Sequence, residues 1–274
     1  MKNFSKIVVL VFILVALVYG AIKITDKPDN VLRVVVIPAD DEVSTRELFQ
    51  PFVDYLQDRM DVEIELITAS DYTAVVEAMK YGHADIARFG PANYVMAAKE
   101  ANIEPLVAGI KAETGVAGYW AYIISKPELE DLNGATFAFV DPASASGFLY
   151  PNDYIEKSGI SLGRIMFAGS HPAVIEAIKN GSVDAGAVAS NRWEYALQED
   201  VIKEGDLKIF WSSELIPNSP WAVRSDMSNS LKDAFTNAML EIPEDIALGL
   251  GINEFEFVKV TDSDYDLVRE VEGK

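Results

Sequence analysis

The sequence predicts an α/β protein built as two similar lobes, and three observations carry that prediction. Stretches patterned like buried strands alternate with stretches at helical spacing along the body of the chain, the rhythm of an open, mostly parallel sheet with helices on both faces. One twelve-residue stretch recurs, in altered form, 99 residues further on. The length of 274 residues, half of them apolar, suits two bodies that each bury a core of their own.

The elements follow in order. Lys2 and Lys6 precede an apolar run over residues 7–22 that only Gly20 interrupts, the pattern of a positive leader followed by a hydrophobic core. Sixteen residues fall short of the roughly 20 that a membrane-spanning helix needs. Residues 1–24 therefore read as an export signal cleaved before Ala21, with a retained anchor as the alternative. Either reading puts the rest of the chain outside the cytoplasmic membrane. Residues 26–30 form a short polar linker. Residues 32–37 (LRVVVI) are a continuous apolar run, as in a strand covered on both faces. Residues 46–59 carry apolar side chains at helical spacing, and residues 62–67 alternate as a second strand. Ser70 is placed to cap a helix over 71–81 that stops at Gly82. Residues 84–89 read as a third strand, and Pro91 suits the first turn of the next helix.

A second unit starts near Tyr119. Strands are expected over 120–125, 136–140, 183–189 and 207–211, and again over 255–260. Helices are expected over 147–158, 171–180 and 231–239, with Pro151 and Pro172 in or near first turns.

The repeat sharpens the picture. Residues 74–85 read AVVEAMKYGHAD and residues 173–184 read AVIEAIKNGSVD, with seven of twelve positions identical. A helix, a glycine stop and a strand start thus recur once per half. The agreement fits two lobes of similar architecture; convergent helix–glycine–strand chemistry is the alternative. At the same offset Tyr72 and His171 become equivalent, one at a helix start in each lobe. In open α/β sheets ligands bind beyond the C-terminal strand ends, where helix N-termini point. Two such lobes facing each other make a cleft whose default ligand is an anion.

Composition removes most other functions. The 43 acidic against 23 basic side chains give a net charge of −20, which argues against nucleic acid. With no cysteine there is no disulfide, thiolate metal site or iron–sulfur cluster. No Walker A loop, G-x-G-x-x-G, G-x-S-x-G or H-E-x-x-H motif is present, so nothing organises a nucleotide site, a serine nucleophile or a catalytic zinc. No metal or cofactor is implied. The segment DPASASG at 141–147 joins a strand to a helix and gathers the Ser144 and Ser146 hydroxyls with the following amides. It reads as an oxyanion cradle or as a serine-rich helix cap. Asp141 reads as a brace for that loop, His83 and Arg88 and Arg192 as surface or interlobe residues, Trp120 as core, and Asp40, Asp41 and Glu42 as a solvated turn.

Several motifs occur together in one order: Ser70-Asp71-Tyr72, Phe89-Gly90-Pro91, Gly118-Tyr119-Trp120, Asp141-Pro142-x-Ser144-x-Ser146-Gly147, Gly169-Ser170-His171, Gly181-x-x-Asp184 and Ser213-x-x-Ile216-Pro217. In this arrangement residues 31–274 resemble the periplasmic phosphate, phosphite and phosphonate-binding proteins of ABC importers. The resemblance implies a type II periplasmic binding fold, with two α/β lobes joined by two crossing segments near 115–119 and 210–213. The first lobe would take residues 31–115, the second 116–210, and the first again 211–274. It implies that Ser144, Ser146 and His171 donate to the oxyanion and that Tyr72, Phe89 and Tyr119 wall the pocket. Two departures matter. Ala145 stands where the family commonly has threonine, which removes a hydroxyl. Asn191 and Ser219 stand where members that bind aminoalkylphosphonates place acids. A buried ammonium without a carboxylate is costly. Phosphate, phosphite or methylphosphonate is therefore expected rather than 2-aminoethylphosphonate. The resemblance further implies capture by lobe closure, a monomer in the periplasm or on the outer face of the cytoplasmic membrane, and delivery to a membrane permease. A sensor of the same fold for a membrane receptor is the alternative, and a phosphoester hydrolase a more distant one.

Overall fold

A computed structural model describes residues 31–37, 42–110, 118–250 and 256–273. The export or anchor segment, the acidic turn at 38–41 and residues 115–117 of the first expected crossing lie outside the described residues.

Thirteen strands are present among the described residues: β1 (Val31–Val36), β2 (Glu63–Thr68), β3 (Ile86–Arg88), β4 (Ile103–Ile110), β5 (Gly118–Tyr119), β6 (Ala121–Ser125), β7 (Phe137–Phe139), β8 (Ile165–Phe167), β9 (Ala185–Ala189), β10 (Lys208–Ser212), β11 (Ile216–Pro217), β12 (Pro220–Arg224) and β13 (Glu256–Lys259). They form a six-stranded sheet of order β13-β4-β12-β3-β1-β2, a five-stranded sheet of order β10-β6-β9-β7-β8, and a two-stranded ribbon of β5 with β11. This is the mixed α/β architecture of the type II periplasmic binding fold.

The two sheets have matching orders, β2-β1-β3-β12-β4 in the first and β8-β7-β9-β6-β10 in the second. Parallel pairs sit at equivalent places, β1 with β3 and β7 with β9. The antiparallel member in fourth place is β12 in the first sheet and β6 in the second. Each of these follows chain that has just come from the other sheet, so each lobe is completed by a strand handed across.

The repeat is structural in detail. Helices Tyr72–Lys80 and His171–Lys179 have nine residues each. They bury Val75, Val76 and Met79 in one lobe and Val174, Ile175 and Ile178 in the other, all at the same offset. Gly82 and Gly181 both take the left-handed conformation that ends the helix, at φ 72° and 79°. Asp85 then accepts the Arg33 amide at 2.8 Å, and Asp184 accepts the Thr136 amide at 2.7 Å, each clamping the strand start to its neighbour.

β1 shows why both faces of the first sheet are buried. Val34 and Val36 point to a core with Phe52, Trp221 and Phe235, while Val35 points to one with Val75, Val76 and Tyr94. The second sheet divides likewise, with Ala138 and Val140 facing Val174 and Ile178, and Phe137 and Phe139 facing Ile155. The Val35 core also takes Ala145, Tyr150 and Ala189 from the second lobe. The two lobes are thus packed against each other.

Some expectations shift. Asp71, not Ser70, is the helix cap: its carboxylate accepts the Ala74 amide at 2.8 Å, and Ser70 donates to that carboxylate. The helix expected from 147 starts at Tyr150, after a single π-turn over Ala145–Leu149. Trp120 is half-buried rather than core. Residues 210–212 lie inside β10, so the return to the first lobe starts at Ser213, whose hydroxyl accepts the Ala121 amide at 2.8 Å. Sequence patterning missed β4, where Pro105 interrupts the run, and β12, which begins at Pro220.

Candidate ligand-binding site

Tyr72, Phe89, Tyr119, Ser144, Ala145, Ser146, His171, Asn191 and Ser219 all line one cavity of about 110 Å³. That is several times the room one water needs and suits a small tetrahedral anion. Tyr72 and Phe89 come from the first lobe and Ser144 to Ser146, His171 and Asn191 from the second, with Tyr119 in the β5–β11 ribbon and Ser219 between β11 and β12.

Local rules place each group. Tyr72 and His171 occupy the first positions of the equivalent helices, capped by Asp71 and Ser170. Gly169, at φ 82°, lets the chain turn into the second cap. Ser144 opens the π-turn, and its hydroxyl accepts the Gly147 amide at 3.0 Å. The turn closes through the Leu149 amide, which donates to the Ser144 carbonyl at 3.0 Å. The amides of Ala145 and Ser146 stand at the opening of this turn, where N–H groups lack partners inside the helix. Ser144 and Ser146 are 2% and 1% exposed, so their hydroxyls face protein and cavity rather than bulk water.

The electrostatics make donors of the aromatic groups. Burial raises the Tyr72 hydroxyl above its ordinary value of 10. A hydrogen bond with Ser144 opposes this, Asp141 adds to it, and Arg192 and Arg88 oppose it. The phenol therefore stays protonated. That bond also joins the two lobes across the cavity. Burial lowers His171 to about 3, and the Arg192 guanidinium pushes the same way. The Ala189 amide donates to Nδ1 at 3.2 Å, which leaves the proton of the neutral ring on Nε2. Asp141 does not line the cavity; its Oδ1 accepts the Ala143 amide at 2.8 Å.

Arg88 and Arg192 line the cavity as well. Sequence reasoning read them as surface or interlobe residues, and a place in the lining between the lobes fits the second of these. The usable signal was adjacency, since each arginine neighbours an expected site residue. Among the described residues, no aspartate or glutamate lines the cavity and no group of acids, histidines or cysteines is placed to hold a metal.

The cleft lies between two α/β lobes and is lined by helix starts, hydroxyls, a neutral imidazole and guanidiniums, the architecture of a two-lobed solute-binding protein. Residues 34–265 match the family described as ABC transporter, phosphonate, periplasmic substrate-binding protein, and the chain belongs to that family. Its members are substrate-binding components, not enzymes. The chain is 32% identical to the phosphate-import protein PhnD of Mycolicibacterium smegmatis, covering 94% of this chain and 92% of that one. It is 23% identical to a probable ABC transporter phosphite-binding protein, PhnD1, of Prochlorococcus marinus, over 85% and 82% of the two chains. The fold superposes on PhnD1 of Prochlorococcus marinus in complex with methylphosphonate with a TM-score of 0.80, at 22% identity, over 89% of this chain and 97% of that one. No helix among the described residues is long and apolar enough to cross a membrane.

Proposed function

We propose that the protein captures a small phosphorus oxyanion (phosphate, phosphite or a short alkylphosphonate) between its lobes and delivers it to the permease of an ABC importer. The observation that carries this reading is the convergence of Tyr72, Ser144, Ser146 and His171 from both lobes on one cavity with no carboxylate in its described lining. Neutral donors and helix starts stabilise an oxyanion locally in a chain whose overall charge is negative. A hydrogen bond to a charged group contributes about 1.5–3 kcal/mol. Three or four of them, less the cost of ordering ligand and lobes, fit micromolar or tighter binding.

Closure follows from the same arrangement. A ligand that touches both lobes interacts more strongly with the closed form and shifts the population toward it. The lobes divide near 115 and 213 and hinge at the β5–β11 ribbon. An aminoalkylphosphonate is disfavoured, because its ammonium would meet Asn191 and Ser219 without a carboxylate and with Arg192 nearby. The protein works as a monomer outside the cytoplasmic membrane, exported by residues 1–24. The names of the relatives in M. smegmatis and P. marinus support this ligand class.

The test is calorimetric titration of ligand-stripped protein with phosphate, phosphite, methylphosphonate and 2-aminoethylphosphonate. Ser146→Ala and His171→Ala should each weaken binding by about tenfold or more. Unchanged affinity in both variants would remove the site assignment.

A further inference from the structure

Two features of the cavity go beyond a neutral-donor cradle. The first is its charge. Arg88 reaches it from the end of β3 in the first lobe, and Arg192 from the first turn of helix Ser190–Gln198, which follows β9 in the second. Both guanidiniums lie close enough to the Tyr72 hydroxyl to lower its pKa. His171 is neutral and adds no charge. One guanidinium from each lobe thus stands in the cavity lining.

The second feature is an acceptor. Asn191 Oδ1 is buried and has no hydrogen-bond partner in the protein, on a residue that lines the cavity. A buried acceptor left without a donor carries a desolvation cost that a ligand's O–H would remove. Among small dianions the choice is narrow. Hydrogenphosphate keeps one proton on oxygen. The phosphite, methylphosphonate and sulfate dianions keep none.

Resting on the reading of the site as a phosphorus-oxyanion cleft, we propose that Arg88 and Arg192 hold the ligand's two negative charges while Asn191 accepts its one remaining O–H proton, so that the cleft selects the hydrogenphosphate dianion. Fork-shaped guanidiniums match phosphoryl oxygens and are always charged. They offset the hydroxyl that Ala145 does not supply. Selection against proton-free dianions then comes from the unmet acceptor: an analogue that cannot donate leaves Asn191 Oδ1 unpaired, a larger loss than a missing apolar contact.

The experiment is competitive titration of the whole protein, stripped of ligand, at about pH 9.5, where phosphate, phosphite and methylphosphonate are all dianions. The probes are phosphate, phosphite, methylphosphonate and sulfate. Phosphate should bind about tenfold to a hundredfold more tightly than the other three. Arg88→Gln and Arg192→Gln should each weaken every dianion by about tenfold or more, with Arg192→Lys recovering part of the loss. Asn191→Ala should weaken phosphate more than the other three, so that the preference for phosphate shrinks. A melting curve for each variant separates lost binding from lost folding, and the ratios in the unmodified protein need no variant at all. Methylphosphonate or sulfate binding as tightly as phosphate would overturn the inference while leaving the oxyanion reading intact. So would folded arginine variants with full affinity, or an unchanged preference in Asn191→Ala. Failure of every phosphorus probe to bind the unmodified protein would remove the underlying reading itself.

Discussion

His171 stays neutral because its surroundings refuse a second proton. Burial first and Arg192 second hold it at about 3, against 6.5 for a free ring. The unfolded chain takes up a proton below about pH 6.5 that the folded chain does not. Folded-state stability from this residue is therefore complete above 6.5 and is lost as the pH falls from there toward 3, by up to about 1.4 kcal/mol per pH unit. Denaturant midpoints measured over that window should fall more steeply for the unmodified protein than for His171→Gln; parallel curves would mean that the ring titrates normally in the folded state. The place of Ser144, Ser146 and His171 in the cavity lining was legible because hydroxyl clusters and a histidine at a helix start leave a local signature. Arg88 and Arg192 were not, since an arginine beside a site residue reads equally well as solvated surface until the strand end at Arg88 and the first turn of helix Ser190–Gln198 are placed.

At the level of elements, the π-turn over Ala145–Leu149 sets where the donors stand. Gly147 cannot be enlarged there. A Cβ on it would lie 2.4 Å from the Val140 Cβ and 2.8 Å from the Ser144 hydroxyl. Gly147→Ala should cost about 1–3 kcal/mol by overpacking and should also weaken anion binding, because Ser144 must move. Paired melting and titration experiments check both, and intact affinity would mean that the turn can relax without displacing its hydroxyls. The equivalent caps offer a second check. Asp71→Ala and Ser170→Ala should each lower stability by about 1 kcal/mol in chemical denaturation, and no change at either would detach the cap from its helix. The strand–helix rhythm was readable because β1, β3, β7 and β9 are apolar runs between clear punctuation. β4 and β12 were hidden by Pro105 and Pro220: Pro105 sits where the β4–β12 register shifts, and Pro220 opens β12. The π-turn was hidden because residues 145–149 carry the same side chains whether the first turn is α or π.

For the whole molecule, the core that spans the lobes is the decisive feature. Tyr150 lies in it with Tyr94 and Tyr265 from the first lobe. Its hydroxyl is buried and lacks a hydrogen-bond partner. If the lobes part in the ligand-free state, that hydroxyl gains water, so bringing them together carries the cost of drying it, about 1–3 kcal/mol. Tyr150→Phe should remove this opposition and tighten anion binding by about tenfold in a titration. An unchanged affinity would show that the hydroxyl is equally dry in both states. The two-lobed plan was visible in the repeat, which compares local segments. The crossings that put β6 in the second sheet and β12 in the first came from the family resemblance alone, because pairing between strands far apart in the chain leaves no trace in either one.

The central claim is that one anion sits between the lobes on donors from both. A crystal structure of the protein grown with phosphate tests it directly. The account places the phosphorus between the two lobes, with oxygens in hydrogen-bond reach of Tyr72, Ser144, Ser146 and His171 Nε2. Phosphate bound elsewhere, or bound in the cleft without touching the residues of one lobe, would contradict it.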